Sequence, residues 1–170
     1  MGQIYLYTGT GGGKTTNALG LALRSVAHRK RVVIIQFLKW WKKTGEWKIR
    51  EKLKPYYEIY QFGRRGWHGL KNLDERDKKL CKKGLELARK ILKESPPFLL
   101  VLDEINLAVH CGMLEKTEVL ELLKNLPKRT HVVLTGRYAP KEFYSIADYV
   151  NEIVDRKHPK KLEAIAGIQY

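Results

Sequence analysis

The segment that most constrains this chain runs from Ile4 to Ala27. An apolar run, Ile4 to Tyr7, leads into Thr8-Gly9-Thr10-Gly11-Gly12-Gly13, then Lys14-Thr15-Thr16, then an amphipathic stretch from Asn17. That order reads as strand, phosphate loop, helix. Glycines let backbone N–H groups turn inward around a polyphosphate without Cβ clashes. Lys14 brings a positive charge to the phosphates, and Thr15 is placed to hold a magnesium ion. The N-terminal end of the following helix adds its own field. The common spacing puts the first glycine five positions before the Gly-Lys pair. Here that position is Thr8, and the glycine comes one residue later, at Gly9. The cradle is one residue short, which allows a triphosphate to sit in a different register.

Strand and helix patterns alternate along the rest of the chain. Ala18, Leu19, Ala22, Leu23 and Val26 form the expected buried stripe of the first helix. Arg31 to Phe37 reads as a fully buried strand, and Tyr56 to Phe62 as a third. Between them lies a long basic connection, Leu38 to Pro55, holding Trp40, Trp41 and Trp47. Gly63 to Gly69 reads as a loop. Asn72, with Glu75 three residues on, is expected to cap a long helix that buries Leu73, Leu80, Gly84, Leu87, Ala88 and Ile91. Pro96-Pro97 ends it. Phe98 to Leu102 is an apolar strand, Thr117 to Leu126 a helix, and His131 to Leu134 a strand. A short helix, Lys141 to Ala147, and a strand, Tyr149 to Val154, follow. The expected class is α/β, with a mostly parallel sheet flanked by helices in the P-loop NTPase-like, RecA-type manner. Its ligands bind at the carboxyl ends of the strands. With 170 residues, 1–170 reads as one nucleotide-binding domain.

The strand Phe98 to Leu102 delivers Asp103-Glu104. An acid there is expected to hold Mg²⁺ with Thr15, on the strand beside the phosphate loop. Glu104 is a candidate for activating water or for supporting the ion from outside its ligands. Thr135-Gly136-Arg137 follows the next strand, and the planar, always-charged fork of Arg137 suits phosphate oxygens.

Lys and Arg outnumber Asp and Glu by 33 to 18, a formal net charge of +15. Anionic partners fit that balance: nucleic acid, a nucleotide or a phosphate-bearing cofactor. A solvated, charge-rich surface fits it equally. Lys39, Lys42, Lys43, Lys48, Arg50, Lys52 and Lys54 crowd one segment, with Arg64 and Arg65 nearby. No apolar run reaches membrane-spanning length, and the first residues form a strand rather than a secretory signal. Cys81 and Cys111 have no metal-ligand spacing and read as small core residues. A cytoplasmic protein with reduced thiols is expected.

Together these residues resemble the P-loop ATP:corrinoid adenosyltransferases, the family of ATP:cob(I)alamin and cob(I)yrinic acid a,c-diamide adenosyltransferases. The resemblance rests on the short loop Thr8 to Thr16 and on Val33 to Lys39, Val101-Leu102-Asp103-Glu104-Ile105 and Leu134-Thr135-Gly136-Arg137. It rests also on Ala147 to Glu152, Lys157-His158-Pro159 and Ala166-Gly167-Ile168-Gln169-Tyr170. These segments keep family order over nearly the whole chain.

The resemblance implies one reaction: ATP gives its 5′-deoxyadenosyl group to the Co(I) of a reduced corrinoid, and inorganic triphosphate leaves. The nucleophile belongs to the substrate, so the protein's work is placement and charge stabilisation. It implies a nucleotide site of Thr8, Gly9, Thr10, Gly11, Gly12, Gly13, Lys14, Thr15, Thr16 and Arg137. Lys14, Thr15, Asp103 and Glu104 are the implied catalytic residues, with Mg²⁺ or Mn²⁺ on Thr15 and Asp103. The corrinoid, cob(I)alamin or cobyrinic acid a,c-diamide, is expected over the nucleotide, against the loops after the second and third strands. Trp40, Trp41, Trp47 and Trp67 are therefore candidates to pack on it. The family's aromatic–x–Trp pair is reduced here: Trp67 is kept, and Gly69 stands where the tryptophan belongs.

His68 lacks the Asp-x-His-x-x-Gly setting of base-off corrinoid binders, and His28, His110 and His131 read as structural. A homodimer is expected, with a basic face suited to an acidic electron-transfer flavoprotein. No membrane partner is expected. Two other readings stay open at this point: a nucleic-acid-dependent P-loop ATPase, from the charge and the Asp103-Glu104 pair, and a small-molecule kinase, which lacks an evident arginine-rich lid.

Overall fold

The computed structural model describes residues 2–66, 69–159, 161 and 163–170. Its centre is a six-stranded, all-parallel sheet: β1 (Ile4–Thr8), β2 (Val32–Phe37), β3 (Tyr57–Phe62), β4 (Leu99–Asp103), β5 (His131–Thr135) and β6 (Tyr149–Glu152). The spatial order is β3-β2-β4-β5-β1-β6. With every pairing parallel, all six carboxyl ends open on one edge. The fold is α/β and P-loop NTPase-like.

The order corrects one expectation. The strand carrying Asp103 is not beside the phosphate-loop strand, because β5 lies between β4 and β1. The acid still reaches the loop, as described below.

Period-2 alternation sends successive strand residues to opposite faces. On one face Leu6, Val33, Ile35, Phe37, Leu100, Leu102, Val132 and Leu134 pack under α3 (Glu75–Glu94), α4 (Ile105–His110), α5 (Lys116–Lys124) and α6 (Lys141–Ile146). On the other, Tyr7, Val32, Ile34, Tyr57, Ile59, Leu99, Val101 and Val133 pack under α1 (Lys14–Ala27), with Trp47 and Leu53 joining from the β2–β3 connection. That connection is not bare loop: it holds α2 (Gly45–Lys48) and a 3-10 turn, Ile49–Glu51.

Two helix stripes differ from expectation. In α1 only Ala18 and Ala22 are buried among the apolar candidates, and Leu23 is 61% exposed. One helix over a broad sheet face makes contact through a narrow line, which a 14-residue helix with small residues at its seam satisfies. In α3 the buried side is Asp77, Cys81, Gly84, Leu85, Ala88, Ile91 and Leu92, so Leu73, Leu80 and Leu87 sit at its margin.

The reason lies at its start. The cap is Asp74, not Asn72: its carboxylate accepts from the Arg76 backbone N–H, while the Asp77 carboxylate accepts from the Asp74 backbone N–H. The Arg64 guanidinium lies 2.9 Å from Asp74 and 3.0 Å from Asp77, so the acids and the arginine fix the helix rotation together.

Cys81 is fully buried and Cys111 half-buried, both free thiols. His131 Nδ1 accepts from the Gln3 backbone N–H, and His110 stacks on Tyr138 with ring centroids 4.4 Å apart. Among the described residues no helix is long and apolar enough to cross a membrane.

Candidate functional site

Four strand ends and the start of α1 converge at one point, on the Asp103 carboxylate. Asp103 closes β4 and is 1% exposed. Its Oδ1 accepts from the Thr15 hydroxyl at 2.8 Å and from the Thr135 hydroxyl at 2.7 Å. Its Oδ2 accepts from Lys39 Nζ at 2.7 Å and from Gln36 Nε2 at 2.9 Å. Gln61, from β3, donates to Gln36 Oε1 at 2.9 Å and so holds the amide in place. Burial alone would push the Asp103 carboxyl up. The Lys39 charge and the bonds from Lys39, Thr135 and Thr15 overturn that and hold it below the ordinary carboxylate range.

Backbone strain concentrates at the same edge. Leu38, Glu104 and Tyr138 are non-glycine residues in the left-handed region, at φ 59°, 63° and 59°. They follow β2, β4 and β5 closely and stand next to Lys39, Asp103 and Arg137 respectively. Each such residue costs about 1–3 kcal/mol and persists only where its surroundings over-determine it. At Leu38 the reason is visible. Its N–H donates to Phe62 O at 3.0 Å, and Gly63 lies so close that a Cβ there would meet the Leu38 carbonyl carbon and the Lys39 nitrogen at 2.5 Å. This clamp aims Lys39 into the site.

The phosphate loop is held from below by the segment after β6. Ile153 N–H donates to Thr8 O at 2.9 Å, and Ile153 O accepts from Gly11 N–H at 2.8 Å. Gly9 stands at φ 96°, and a Cβ there would lie 2.4 Å from Ile153 O, so the position admits only glycine. The Asp155 carboxylate accepts from Gly12 N–H at 3.1 Å. Lys14 is 7% exposed and donates to Gly9 O at 2.9 Å and Gly11 O at 2.5 Å. Burial and the neighbouring Arg137 charge lower its pKa, against the pull of Glu104 and Asp155.

The structure distributes the candidate residues over loop, sheet and rim. Gly9 to Thr16 form the loop and the first turn of α1, with Thr15 turned toward Asp103 and Thr16 toward solvent. Thr8 is the last residue of β1, 2% exposed, and belongs to the sheet rather than to the loop surface. Arg137 is exposed at the rim, close enough to act on Lys14 and Glu104. The Glu104 carboxyl is raised by burial, against the attraction of Lys39, Lys14 and Arg137. Its backbone N–H donates to the Thr135 hydroxyl at 3.0 Å.

Beside the loop lies a cavity of about 700 Å³. Thr15, Thr16 and Lys39 form the wall it shares with the loop; Trp40, Trp41 and Tyr170 supply aromatic surface. Trp47 does not face it. That ring packs, half-buried, against the sheet core with Lys42 Nζ 5.1 Å and the Arg50 guanidinium 4.4 Å from its centroid. Trp67 and His68 lie outside the described residues.

Lys39, Gln36, Gln61, Thr135 and Asp155 join the site without having been marked for it by sequence pattern. Lys39 sits among the other charges of its basic segment, and Gln36 and Gln61 fall inside strands. A polar residue inside an otherwise apolar strand run is the available signal, since a buried amide needs partners. The rest of the basic segment is partly self-paired: Lys54 and Arg50 both lie on Glu51.

The oxygen donors suit a hard, octahedral ion. One carboxylate and one hydroxyl, 2.8 Å apart, match magnesium, which keeps several waters and takes the rest of its ligands from phosphates. Among the described residues no group of three or more His, Cys, Asp and Glu could hold a metal without such help.

The family model for "ATP:corrinoid adenosyltransferase BtuR/CobO/CobP" matches residues 1–170. A curated corrinoid adenosyltransferase from Sinorhizobium sp is 33% identical over 173 residues, covering 99% of this chain and 80% of that protein. The corrinoid adenosyltransferase of Escherichia coli is 33% identical over 171 residues, with 99% and 86% covered. The protein named corrinoid adenosyltransferase CobA in Salmonella typhimurium is 32% identical over 171 residues, again with 99% and 86% covered.

Proposed function

The chain belongs to the ATP:corrinoid adenosyltransferase family, and from that membership we propose that residues 1–170, as one domain, move the 5′-deoxyadenosyl group of ATP to the cobalt of a reduced corrinoid. The C5′–O bond breaks and its electron pair leaves with inorganic triphosphate. A cobalt–carbon bond forms with the electron pair that Co(I) brings. Because the substrate is the nucleophile, no side chain has to attack or remove a proton.

What remains for the protein is placement and charge. Lys14, Arg137 and the loop N–H groups stabilise the departing triphosphate. Thr15 and Asp103 would hold Mg²⁺ or Mn²⁺, which would supply positive charge against the triphosphate, and Glu104 would support the ion from outside its ligands. Lys39 and Thr135 help keep Asp103 ionised, and Gln36, itself held by Gln61, helps orient it.

The observation that carries this reading is the wall shared by loop and cavity. Thr15, Thr16 and Lys39 face a space bordered by Trp40 and Trp41. A flat, partly apolar macrocycle fits such a space beside the nucleotide, and Trp67 is a further candidate to pack on it. Family membership favours this over the nucleic-acid ATPase suggested by the charge. Cob(I)alamin or cobyrinic acid a,c-diamide as acceptor, a homodimeric assembly, a cytoplasmic location and reduction by an acidic flavoprotein complete the proposal.

The test is a product assay. With ATP and chemically reduced corrinoid, a light-sensitive absorbance change should appear in step with triphosphate release. Little ATP should be consumed without corrinoid. Lys14→Ala should fold and lose at least a hundredfold in turnover, about 3 kcal/mol of transition-state stabilisation. Steady ADP production, faster with DNA or RNA and indifferent to reduced corrinoid, would overturn the proposal.

A further inference from the structure

The cation on Asp103 in this structure is the protein's own. Lys39 Nζ lies 2.7 Å from Asp103 Oδ2 and 3.0 Å from Thr15 Oγ1, bridging the two side chains proposed above to hold the metal; on the carboxylate it takes Oδ2, and Thr15 takes Oδ1. It gets there by a costly route: the left-handed Leu38 and the close approach of Gly63 turn the chain inward immediately after β2. The ammonium lies deep, but the side chain that carries it is not sealed in: Lys39 is 31% exposed along its side chain against 1% for Asp103, and it forms part of the cavity wall, so the stem has space to swing.

We infer that Lys39 is a resident counter-ion of the metal position: it holds Asp103 and Thr15 together, keeps a bare divalent ion off them, and gives way when the ion arrives on a triphosphate. The inference rests on the reading of Thr15 and Asp103 as the metal-holding pair. The contacts support it. Asp103 accepts from three neutral donors, Thr15, Thr135 and Gln36, and from one cation, Lys39. A bare divalent ion must therefore displace an ammonium already in contact. Without Lys39 the carboxylate keeps only neutral donors, and a divalent ion meets no such competitor. A metal–triphosphate complex brings more negative than positive charge, and the displaced ammonium then finds its counter-charge in the phosphates. Magnesium's preference for entering on phosphate oxygens works the same way.

Manganese uptake tests this without turnover. Free Mn²⁺ is read by its electron paramagnetic resonance signal, with the metal alone and with inorganic triphosphate. The proteins are wild type, Lys39→Met, Lys39→Arg, Asp103→Asn and the Lys39→Met/Asp103→Asn double variant. Wild type and Lys39→Arg should take up Mn²⁺ alone weakly. Lys39→Met should bind it at least tenfold tighter, and the double variant should lose that gain. With triphosphate, wild type should bind tightly and Asp103→Asn at least tenfold more weakly. Equal uptake of Mn²⁺ alone by Lys39→Met and wild type overturns the counter-ion role and leaves the metal pair standing. A gain that survives in the double variant places the ion elsewhere and overturns it too. Asp103→Asn matching wild type with triphosphate removes the metal pair and the inference together. Thermal melts followed by circular dichroism establish folding; where Lys39→Met melts early, Lys39→Gln carries the same comparison against Lys39→Arg.

Discussion

Asp103 shows how a single carboxylate ties stability to pH. It accepts from Thr15, Thr135, Gln36 and Lys39, and its pKa is held below the ordinary value. A depressed folded-state pKa gives stability that is present above the unfolded value and lost as pH falls through the folded one. In metal-free buffer, Asp103→Asn should therefore cost about 2–3 kcal/mol near neutrality, discounted for the partly exposed Lys39. That gap should narrow below about pH 4. Glu104 carries the opposite sign: burial raises it, so its contribution is present below its unfolded pKa and is lost as pH rises through the folded one. Glu104→Gln should then be neutral or stabilising near pH 7. Denaturant melts of both variants across pH 3–8 read this, and curves that stay parallel to wild type would remove the linkage. Asp103 is legible in the sequence because it ends a run of apolar strand residues. Lys39 is not, because nothing local marks which lysine of a basic segment turns inward; the turn depends on Leu38 meeting Gly63, 25 residues away.

At the scale of elements, the buried and solvent-facing sides of the helices tolerate an added side chain differently, and one pair of glycines reads the difference. Gly84 lies on the buried side of α3, where a Cβ would meet Phe37 Cε1 at 2.9 Å and the Phe62 ring at 3.0 Å. Phe37 is fully buried and has nowhere to move. Gly84→Ala should gain about 1 kcal/mol of helix propensity and lose about 1–3 to overpacking, a net destabilisation of up to about 2 kcal/mol. Gly20 lies on the exposed side of α1, and a Cβ there would meet nothing within 4 Å. Gly20→Ala should stabilise by about 0.5–1 kcal/mol. Chemical denaturation of both variants decides it: two changes of the same sign would mean that the packing asymmetry is not what these positions feel. The six strands and the longer helices are readable from pattern, the inner strands because they are runs of buried apolar residues; α2 and α4, four and six residues long, are too short to show a period and are not among the elements expected from sequence. Helix rotation is not readable from pattern either. The Asp74, Asp77 and Arg64 cluster that sets the face of α3 joins a cap to a residue of the preceding loop, and an Asn72 cap satisfies the same local pattern equally well.

For the whole molecule, the consequence of an all-parallel sheet is that distant segments meet at one edge. The chain leaves β6 beside β1, where Ile153 and Asp155 hold the phosphate loop. It then returns to the mouth of β2, where Gly167 to Tyr170 form part of the cavity wall and the Tyr170 ring lies 4.8 Å from Trp41. Family order places these last residues in a shared pattern, but only the fold brings them to the cavity. Their backbone bonds are mostly internal, Gly167 N–H to Tyr170 O and Gln169 N–H to Ile165 O, and Ile168 is 74% exposed. Removing 167–170 should thus leave the core intact, with a melting temperature within about 2 °C of the full chain. The nucleotide side should be untouched, because the bonds that hold the loop, Lys14 and Asp103 come from β1, β2, β4, β5, α1 and the segment after β6, not from that turn. The corrinoid side should weaken about three- to tenfold, the loss of one aromatic contact worth about 0.5–1.5 kcal/mol. Separate titrations of ATP and corrinoid measure this. Equal weakening for both ligands would mean the turn supports the fold of the site as a whole, and no change for either would mean Tyr170 covers the cavity without touching what enters it.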